Sequence, residues 1–190
     1  SILIPIYNEE ESLQALFEEL KNSFENNQSI EIIFINDGSS DMSQKVIENE
    51  IANHSTWKLI NLYRNYGKSV ALQSGIDIAS NELIATLDGD LQDDPKELIN
   101  LVRELNEDDV IVGWKKDRLD PLEKKIASKI FNFFIKLFSG LKIKDSNSGI
   151  KVLKKEVAKS LNLYGGRHRY IPLLAHQKGF NVKEIPVNHR

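Results

Sequence analysis

The sequence predicts an α/β domain with a mostly parallel central sheet and helices on both faces. Two observations lead there. Apolar runs alternate with helical periodicity through the first two-thirds of the chain. Four of those runs also end in carboxylates, amides or glycines. In open α/β sheets ligands bind at the carboxyl ends of the strands, so four such ends on one rim argue for a nucleotide site.

The elements follow in order. Ser1-Ile2-Leu3-Ile4 opens as a strand and breaks at Pro5 into the polar corner Tyr7-Asn8-Glu9-Glu10. Glu9-Glu10-Glu11 suits the positive end of a helix dipole. From Glu11 to Phe24 the residues Leu13, Leu16, Phe17, Leu20 and Phe24 fall on one helical face. Ile32 to Ile35 is the second strand, ending in Asn36-Asp37-Gly38-Ser39-Ser40-Asp41, and Asp41 reads as the N-cap of a helix to Ile51. Leu59 to Leu62 is the third, leading into Arg64-Asn65-Tyr66-Gly67-Lys68 and a helix from Gly67 to Ala79. Glu82 to Leu87 is the fourth. Asp94-Pro95 starts a helix to Leu105, with proline in its first turn. Val110 to Val112, Ile150 to Leu153 and Val182 to Ile185 are the remaining strands. Before the last of them, Arg167-His168-Arg169-Tyr170-Ile171-Pro172 forms a basic, aromatic opening to a helix.

One segment has two readings. Between Leu122 and Phe138 an apolar stripe of Ile126, Ile130, Phe133, Phe134, Leu137 and Phe138 opposes Lys124, Lys125, Lys129 and Lys136. Such a stripe packs on a sheet in most proteins. A basic amphipathic helix rich in aromatics also suits a membrane interface.

Bulk properties narrow the class. A chain of 190 residues holds one domain with a substantial core. Its formal net charge of -3 gives no electrostatic case for nucleic-acid binding. The absence of cysteine excludes disulfides, thiol catalysis and cysteine-bound zinc. No apolar stretch reaches the roughly 18 residues of a membrane span. The chain starts inside a strand without Met and stops at Arg190 without a turn, so it reads as one domain, residues 1–190, cut from something longer.

Asp88-Gly89-Asp90, closing the fourth strand, is the most informative triplet. Alternate side chains share a side of a strand, so its two carboxylates face the same way and repel unless a cation separates them. Mg²⁺ or Mn²⁺ takes one or two carboxylates plus substrate phosphates, and Gln92, the next same-side residue, offers a neutral oxygen. A plain Asp-Gly turn is the competing reading. Other motifs fall away. Gly67-Lys68-Ser69 lacks the glycine a P-loop needs, since Leu62 stands there. No G-x-G-x-x-G occurs, and His54, His168, His176 and His189 have no zinc spacing.

Taken jointly, the segments resemble the family-2 glycosyltransferases of GT-A fold, closest to the polyprenyl-phosphate glycosyltransferases of the dolichol-phosphate mannose synthase and bacterial undecaprenyl-phosphate types. Pro5-Ile6-Tyr7-Asn8-Glu9-Glu10 matches P-x-Y-N-E-E. Asn36 to Asp41 matches D-D-G-S-x-D with Asn36 in the first place. Arg64 to Lys68 matches R-N-x-G-K, Asp88 to Asp93 looks like the D-A-D-L-Q-D form of the D-x-D signature with Gly89 for its alanine, and Gly113-Trp114-Lys115 resembles G-x-R with lysine for arginine.

The resemblance implies an inverting, metal-dependent transfer from a UDP- or GDP-sugar to a polyprenyl phosphate. It implies that Pro5, Tyr7, Glu9, Ile35 and Asp37 contact base and ribose. Lys68, Asp88, Gly89 and Asp90 belong to the same nucleotide-sugar site, with Asp88 and Asp90 at the diphosphate as catalytic residues. Asp90 and Gln92 are the metal ligands, for Mg²⁺ or Mn²⁺. Lys115, Lys124 and Ser128 fall near the acceptor phosphate, and Arg169 is a further candidate because its segment is similar to the H-R-F-I-P of bacterial members. A lipid acceptor brings the Leu122–Phe138 helix to a membrane, placing the protein at its cytoplasmic face while the fragment itself is soluble. A homo-oligomer stays open. Lys115 lacks arginine's bidentate fork. The R-x-x-G-x-S-K loop and membrane helices of the family are expected beyond Arg190. Two rival readings are a transferase acting on a saccharide hydroxyl of an envelope polysaccharide, with Asp145 as its base, and a silent nucleotide-sugar binding module. Asp145 also reads as a turn or capping carboxylate.

Overall fold

A computed structural model describes residues 1–24, 27, 29–115, 141, 143 and 147–188, with Lys115 described by its backbone alone. The strands are β1 (Ile2–Ile6), β2 (Ile32–Asn36), β3 (Trp57–Asn61), β4 (Leu83–Thr86), β5 (Val110–Lys115), β6 (Lys151–Lys154) and β7 (Val182–Val187). The helices are α1 (Leu13–Phe24), α2 (Ser43–Ile51), α3 (Lys68–Ile78), α4 (Glu97–Glu104), α5 (Lys155–Ser160) and α6 (Ile171–Gln177), the last preceded by a 3₁₀ turn, Arg167–Tyr170.

One seven-stranded sheet has the order β3-β2-β1-β4-β6-β5-β7. The β1–β2, β2–β3, β1–β4 and β5–β7 pairs are parallel, and β6 runs antiparallel to both β4 and β5. Alternation along the strands sorts the core into two layers. Ile4, Ile6, Phe34 and Leu87 pack with Leu13, Phe17 and Leu20 of α1, Ile47 of α2 and Leu98 and Leu101 of α4. Leu3, Ile33, Ile35 and Ile84 pack with Ala71, Leu72 and Ile76 of α3 and Val157 and Ala158 of α5. Phe17 meets Phe34 edge-on at 5.6 Å between centroids, a geometry that stabilises beyond the buried area.

Pro5 does not break β1, which continues to Ile6. The carbonyls of Ser1 and Leu3 accept from Ala85 and Leu87, so alternate residues of β1 point toward β4. Pro5 is the next on that side, past Leu3↔Thr86, the last β1–β4 pair. Its missing N–H therefore removes no ladder bond. The β1–β4 pairing ends below the rim.

All five apolar residues expected on the face of α1 are buried. Asp41 is not the N-cap of α2, because Met42 holds that place and the helix starts at Ser43. The Asp41 carboxylate nevertheless accepts from the Ser43 N–H at 2.9 Å. Pro95 precedes α4, which begins at Glu97. The short helix α5 was not anticipated, since six residues carry too little periodicity. The Leu122–Phe138 segment lies outside the described residues, so both readings of it stand. Among the described residues no helix is long and apolar enough to cross a membrane.

Candidate functional site

A cavity of about 310 Å³ opens at the carboxyl rim of the sheet. Pro5, Ile6, Tyr7 and Glu9 line it from the end of β1, and Asp37 from the end of β2. Asn65, Gly67 and Lys68 enter from the approach to α3, and Asp88, Gly89 and Asp90 from the end of β4. Eight of the residues expected to hold a nucleotide sugar therefore converge on one cleft. Ile35 is the exception. Its side chain is fully buried beneath α3 in the Leu3–Ile33 layer, because it shares the face of Ile33.

The cleft walls are held by side chains acting on backbone. Asp37 is buried, and its carboxylate oxygens accept the N–H groups of Tyr66 at 2.8 Å and Gly67 at 2.9 Å. Gly38 follows at φ +68°, a left-handed conformation suited to glycine. A Cβ there would fall 2.3 Å from the Arg64 carbonyl carbon, so the two loops fit only without one. On the other side, residues 8–12 interlock with residues 39–43. Ser40 donates its N–H to Asn8 Oδ1 at 2.8 Å, Asn8 donates to Ser39 Oγ at 3.0 Å, and Glu9 donates to Ser43 Oγ at 2.9 Å. Met42 donates to Glu10 Oε2 at 2.7 Å. The Glu9 carboxylate accepts from Ser12 Oγ at 2.8 Å, and the same hydroxyl lies 3.3 Å from the Gly89 carbonyl.

Asp88 meets Lys68 Nζ at 2.5 Å, at the mouth of the cleft. From behind, its carboxyl rests against Gly149, where a Cβ would fall 2.6 Å from Asp88 Cγ. Thr86 Oγ1 donates to the Gly149 carbonyl at 2.6 Å, fixing that backbone below the carboxylate. Gly89 is small for a similar reason. A Cβ on it would meet Ile6 Cδ1 at 2.6 Å, so its close approach is to β1.

Asp90 is exposed, and its Oδ1 accepts the Gln92 N–H at 3.2 Å. Between them Leu91 sits at φ +63°, a conformation rare for leucine, while its side chain packs on the core. That turn directs Asp90 outward. Among the described residues no group of three or more His, Cys, Asp or Glu gathers as a cage. A hard divalent ion held by one or two carboxylates plus substrate phosphates needs no such cage. The exposed Asp90 carboxylate and the amide oxygen of Gln92 fit that donor chemistry.

At the far side of Lys68, Ser69 is fully buried and bonds His168 twice. Its Oγ accepts the His168 N–H at 2.9 Å and lies 2.9 Å from His168 Nδ1. Burial lowers the His168 pKa to about 4, helped by the cations Lys68, Arg169 and Lys151 and opposed by Asp88. Arg169 is exposed on the 3₁₀ turn. The backbone of Lys115 ends β5 opposite Val187. Lys124, Ser128 and Asp145 lie outside the described residues.

A single mixed sheet with flanking helices, whose carboxyl rim gathers these groups, is the architecture of the GT-A glycosyltransferases. A mannosyltransferase of Pyrobaculum calidifontis solved with GDP-Man and Mn²⁺ aligns over 97% of this chain and 54% of its own, at TM-score 0.73 and 14% identity. Glucosyl-3-phosphoglycerate synthase of Mycobacterium tuberculosis, solved with UDP, aligns over 100% and 70% at TM-score 0.75 and 16% identity. The chain belongs to glycosyl transferase family 2, which matches residues 1–161.

Its relatives include the dodecaprenyl-phosphate galacturonate synthase of Rhizobium johnstonii, 37% identical over 90% of this chain and 52% of that protein. The undecaprenyl-phosphate 4-deoxy-4-formamido-L-arabinose transferase of Salmonella choleraesuis is 35% identical over 100% of this chain and 59% of its own length. The chain thus spans between half and three-fifths of the length of these two relatives.

Proposed function

We propose that residues 1–190 are the catalytic domain of an inverting, metal-assisted glycosyltransferase that moves a sugar from a UDP- or GDP-sugar to a polyprenyl phosphate. The observation that carries this reading is the convergence of Tyr7, Asp37, Lys68, Asp88 and Asp90 on one cleft of a family-2 fold. The acceptor class follows the names of the two relatives, both of which act on a polyprenyl phosphate.

The nucleoside lies against Pro5, Tyr7 and Glu9, with Asp37 fixing the wall opposite. Lys68 brings an ammonium to the phosphates, and Asp88 holds that ammonium in place. Asp90 and Gln92 hold Mg²⁺ or Mn²⁺, which supplies Lewis-acid stabilisation of charge on the departing diphosphate. The acceptor phosphate oxygen attacks the anomeric carbon as the bond to the diphosphate breaks. The nucleoside diphosphate leaves with the bonding pair. An ionised phosphate needs no general base, only cations that keep it in line. Arg169, Lys115, Lys124 and Ser128 take that part, and the Leu122–Phe138 helix meets the lipid at the cytoplasmic face of a membrane.

A panel of UDP- and GDP-sugars offered with a short polyprenyl phosphate to the whole protein tests this. The expected product is a lipid-linked monosaccharide. Transfer to a saccharide hydroxyl alone, or nucleotide binding with no turnover, overturns it.

A further inference from the structure

Ser69 and His168 are separated by 99 residues, yet they share two hydrogen bonds at 2.9 Å. Ser69 is the second residue of α3 and fully buried, so no water competes for its hydroxyl. A serine oxygen has one proton and two lone pairs. One lone pair takes the His168 N–H, and the proton is free to go to Nδ1. The ring is then the neutral tautomer that carries its own proton on Nε2.

The surroundings favour the same form. The charges that act on the ring are Lys68 on α3, Lys151 on β6, Arg169 on its own turn and Asp88 after β4, three cations against one carboxylate. An imidazolium there would be repelled and partly desolvated at once. A neutral ring can instead pack between like charges and keep them at fixed separations.

The turn has a second tether. The Leu163 N–H donates to Gln73 Oε1 at 2.9 Å, four residues along the face of α3 that carries Ser69. The Gln73 bond holds the approach to the turn, and the Ser69 bonds hold the turn itself at the rim. Gly165 and Gly166, which lie between the two tethers, leave the backbone there pliant.

We propose that His168 is a positioning residue, a neutral imidazole latched to Ser69 that seats the 167–170 turn on the first turn of α3, so that Arg169 acts from a fixed place on the rim. This rests on the reading above, in which the acceptor phosphate meets Arg169. The pocket that holds the nucleotide is lined by neither Ser69 nor His168, so the latch acts on the acceptor side.

Two measurements on the whole protein test it. With ¹⁵N-labelled histidine, the ring pair identified by its loss in His168→Phe should show the Nε2–H tautomer and stay neutral down to about pH 5. An Nδ1–H tautomer, or a ring titrating near its ordinary 6.5, overturns the latch. Steady-state kinetics then separate its role. His168→Phe and Ser69→Ala should each raise the KM for polyprenyl phosphate about ten-fold, the cost of one hydrogen bond, with nucleotide affinity changed less than about two-fold. His168→Asn, whose amide oxygen replaces Nδ1 as acceptor, should restore most of that KM. An unchanged acceptor KM in all three variants overturns the positioning role. If His168→Phe fails to fold, Ser69→Ala and the tautomer decide. Wild-type protein without lipid transfer overturns both the function and the acceptor-side role, and the ring spectrum still reports the latch.

Discussion

Lys68 Nζ and Asp88 Oδ1 meet at 2.5 Å, joining the start of α3 to the end of β4 across the candidate nucleotide cleft. Both side chains remain about one-third exposed, at 32% and 28%. Ion pairs so exposed contribute little to stability, about 0–1 kcal/mol. The pair is better understood as placing charge: Asp88 fixes where the ammonium stands when a diphosphate arrives.

Lys68→Met should therefore leave the melting temperature within a few degrees of wild type while weakening nucleoside-diphosphate binding about ten-fold, as loss of one charge-assisted bond implies. Calorimetry beside a thermal melt reads both. A large drop in melting temperature with unchanged affinity would show a structural pair.

Asp90→Ala should abolish transfer and erase the part of diphosphate affinity that depends on Mn²⁺. Its carboxylate is exposed and, among the described residues, accepts only the Gln92 N–H, so the described fold does not need it. Titration of nucleoside diphosphate with and without Mn²⁺ checks this, and equal metal dependence in mutant and wild type would remove Asp90 from the site.

Asp37→Asn removes one of two oxygens that accept buried backbone N–H groups, and it turns an amide toward one of them. The expected cost is about 1–3 kcal/mol of stability, with nucleotide affinity falling as the 64–67 loop loosens. Lower stability with unaltered affinity would confine Asp37 to the loop.

The acid limb of stability should depend on Glu31. Burial opposes ionisation of this carboxyl, but the Lys58 ammonium, the hydroxyls of Ser1 and Ser80 and the Ser80 N–H outweigh it and hold the pKa at about 2. Because the folded value is lowered from 4.5, the stabilisation is complete above that pH and is lost as pH falls toward 2. Glu31→Gln should flatten the loss between these limits by an amount on the order of 2 kcal/mol, discounted because Lys58 is half exposed. Denaturant midpoints across that pH range provide the measurement.

Much of this architecture was legible in the residues, for identifiable reasons. The face of α1 could be read in full because a long amphipathic helix repeats its signal at every turn. The ends of β2 and β4 could be read because apolar runs stop abruptly at Asn36 and Asp88, whereas β1 runs past Pro5 to Ile6 and β3 stops at Asn61, short of Leu62. The direction of β6 could not, since Lys151-Val152-Leu153-Lys154 has the same pattern in either sense. Ile35 carried a usable signal: by alternation it shares the face of Ile33, which puts it in the core. The interlock of Asn8 and Glu9 with Ser39 and Ser43 was hidden because serines in polar loops look alike until their partners are known. Ser69 and His168 gave no local sign, because contact between residues so far apart is decided by topology. The left-handed Leu91 was equally silent, as its side chain is what holds the strained backbone.

The brace behind Asp88 also bears on the order in which the molecule is assembled. Among the described residues, every one that lines the cleft lies between Pro5 and Asp90, yet Gly149, against which Asp88 rests, enters the sheet with β6. Because β6 lies between β4 and β5, β5 and β7 join the sheet only after it has inserted. A nascent chain that has emerged only as far as Lys115 would hold these lining residues and still lack the support for the cleft's central carboxylate. Binding competence would then arrive with the antiparallel strand, after the last lining residue has been made, and nucleotide affinity would serve as a reporter of that strand's insertion.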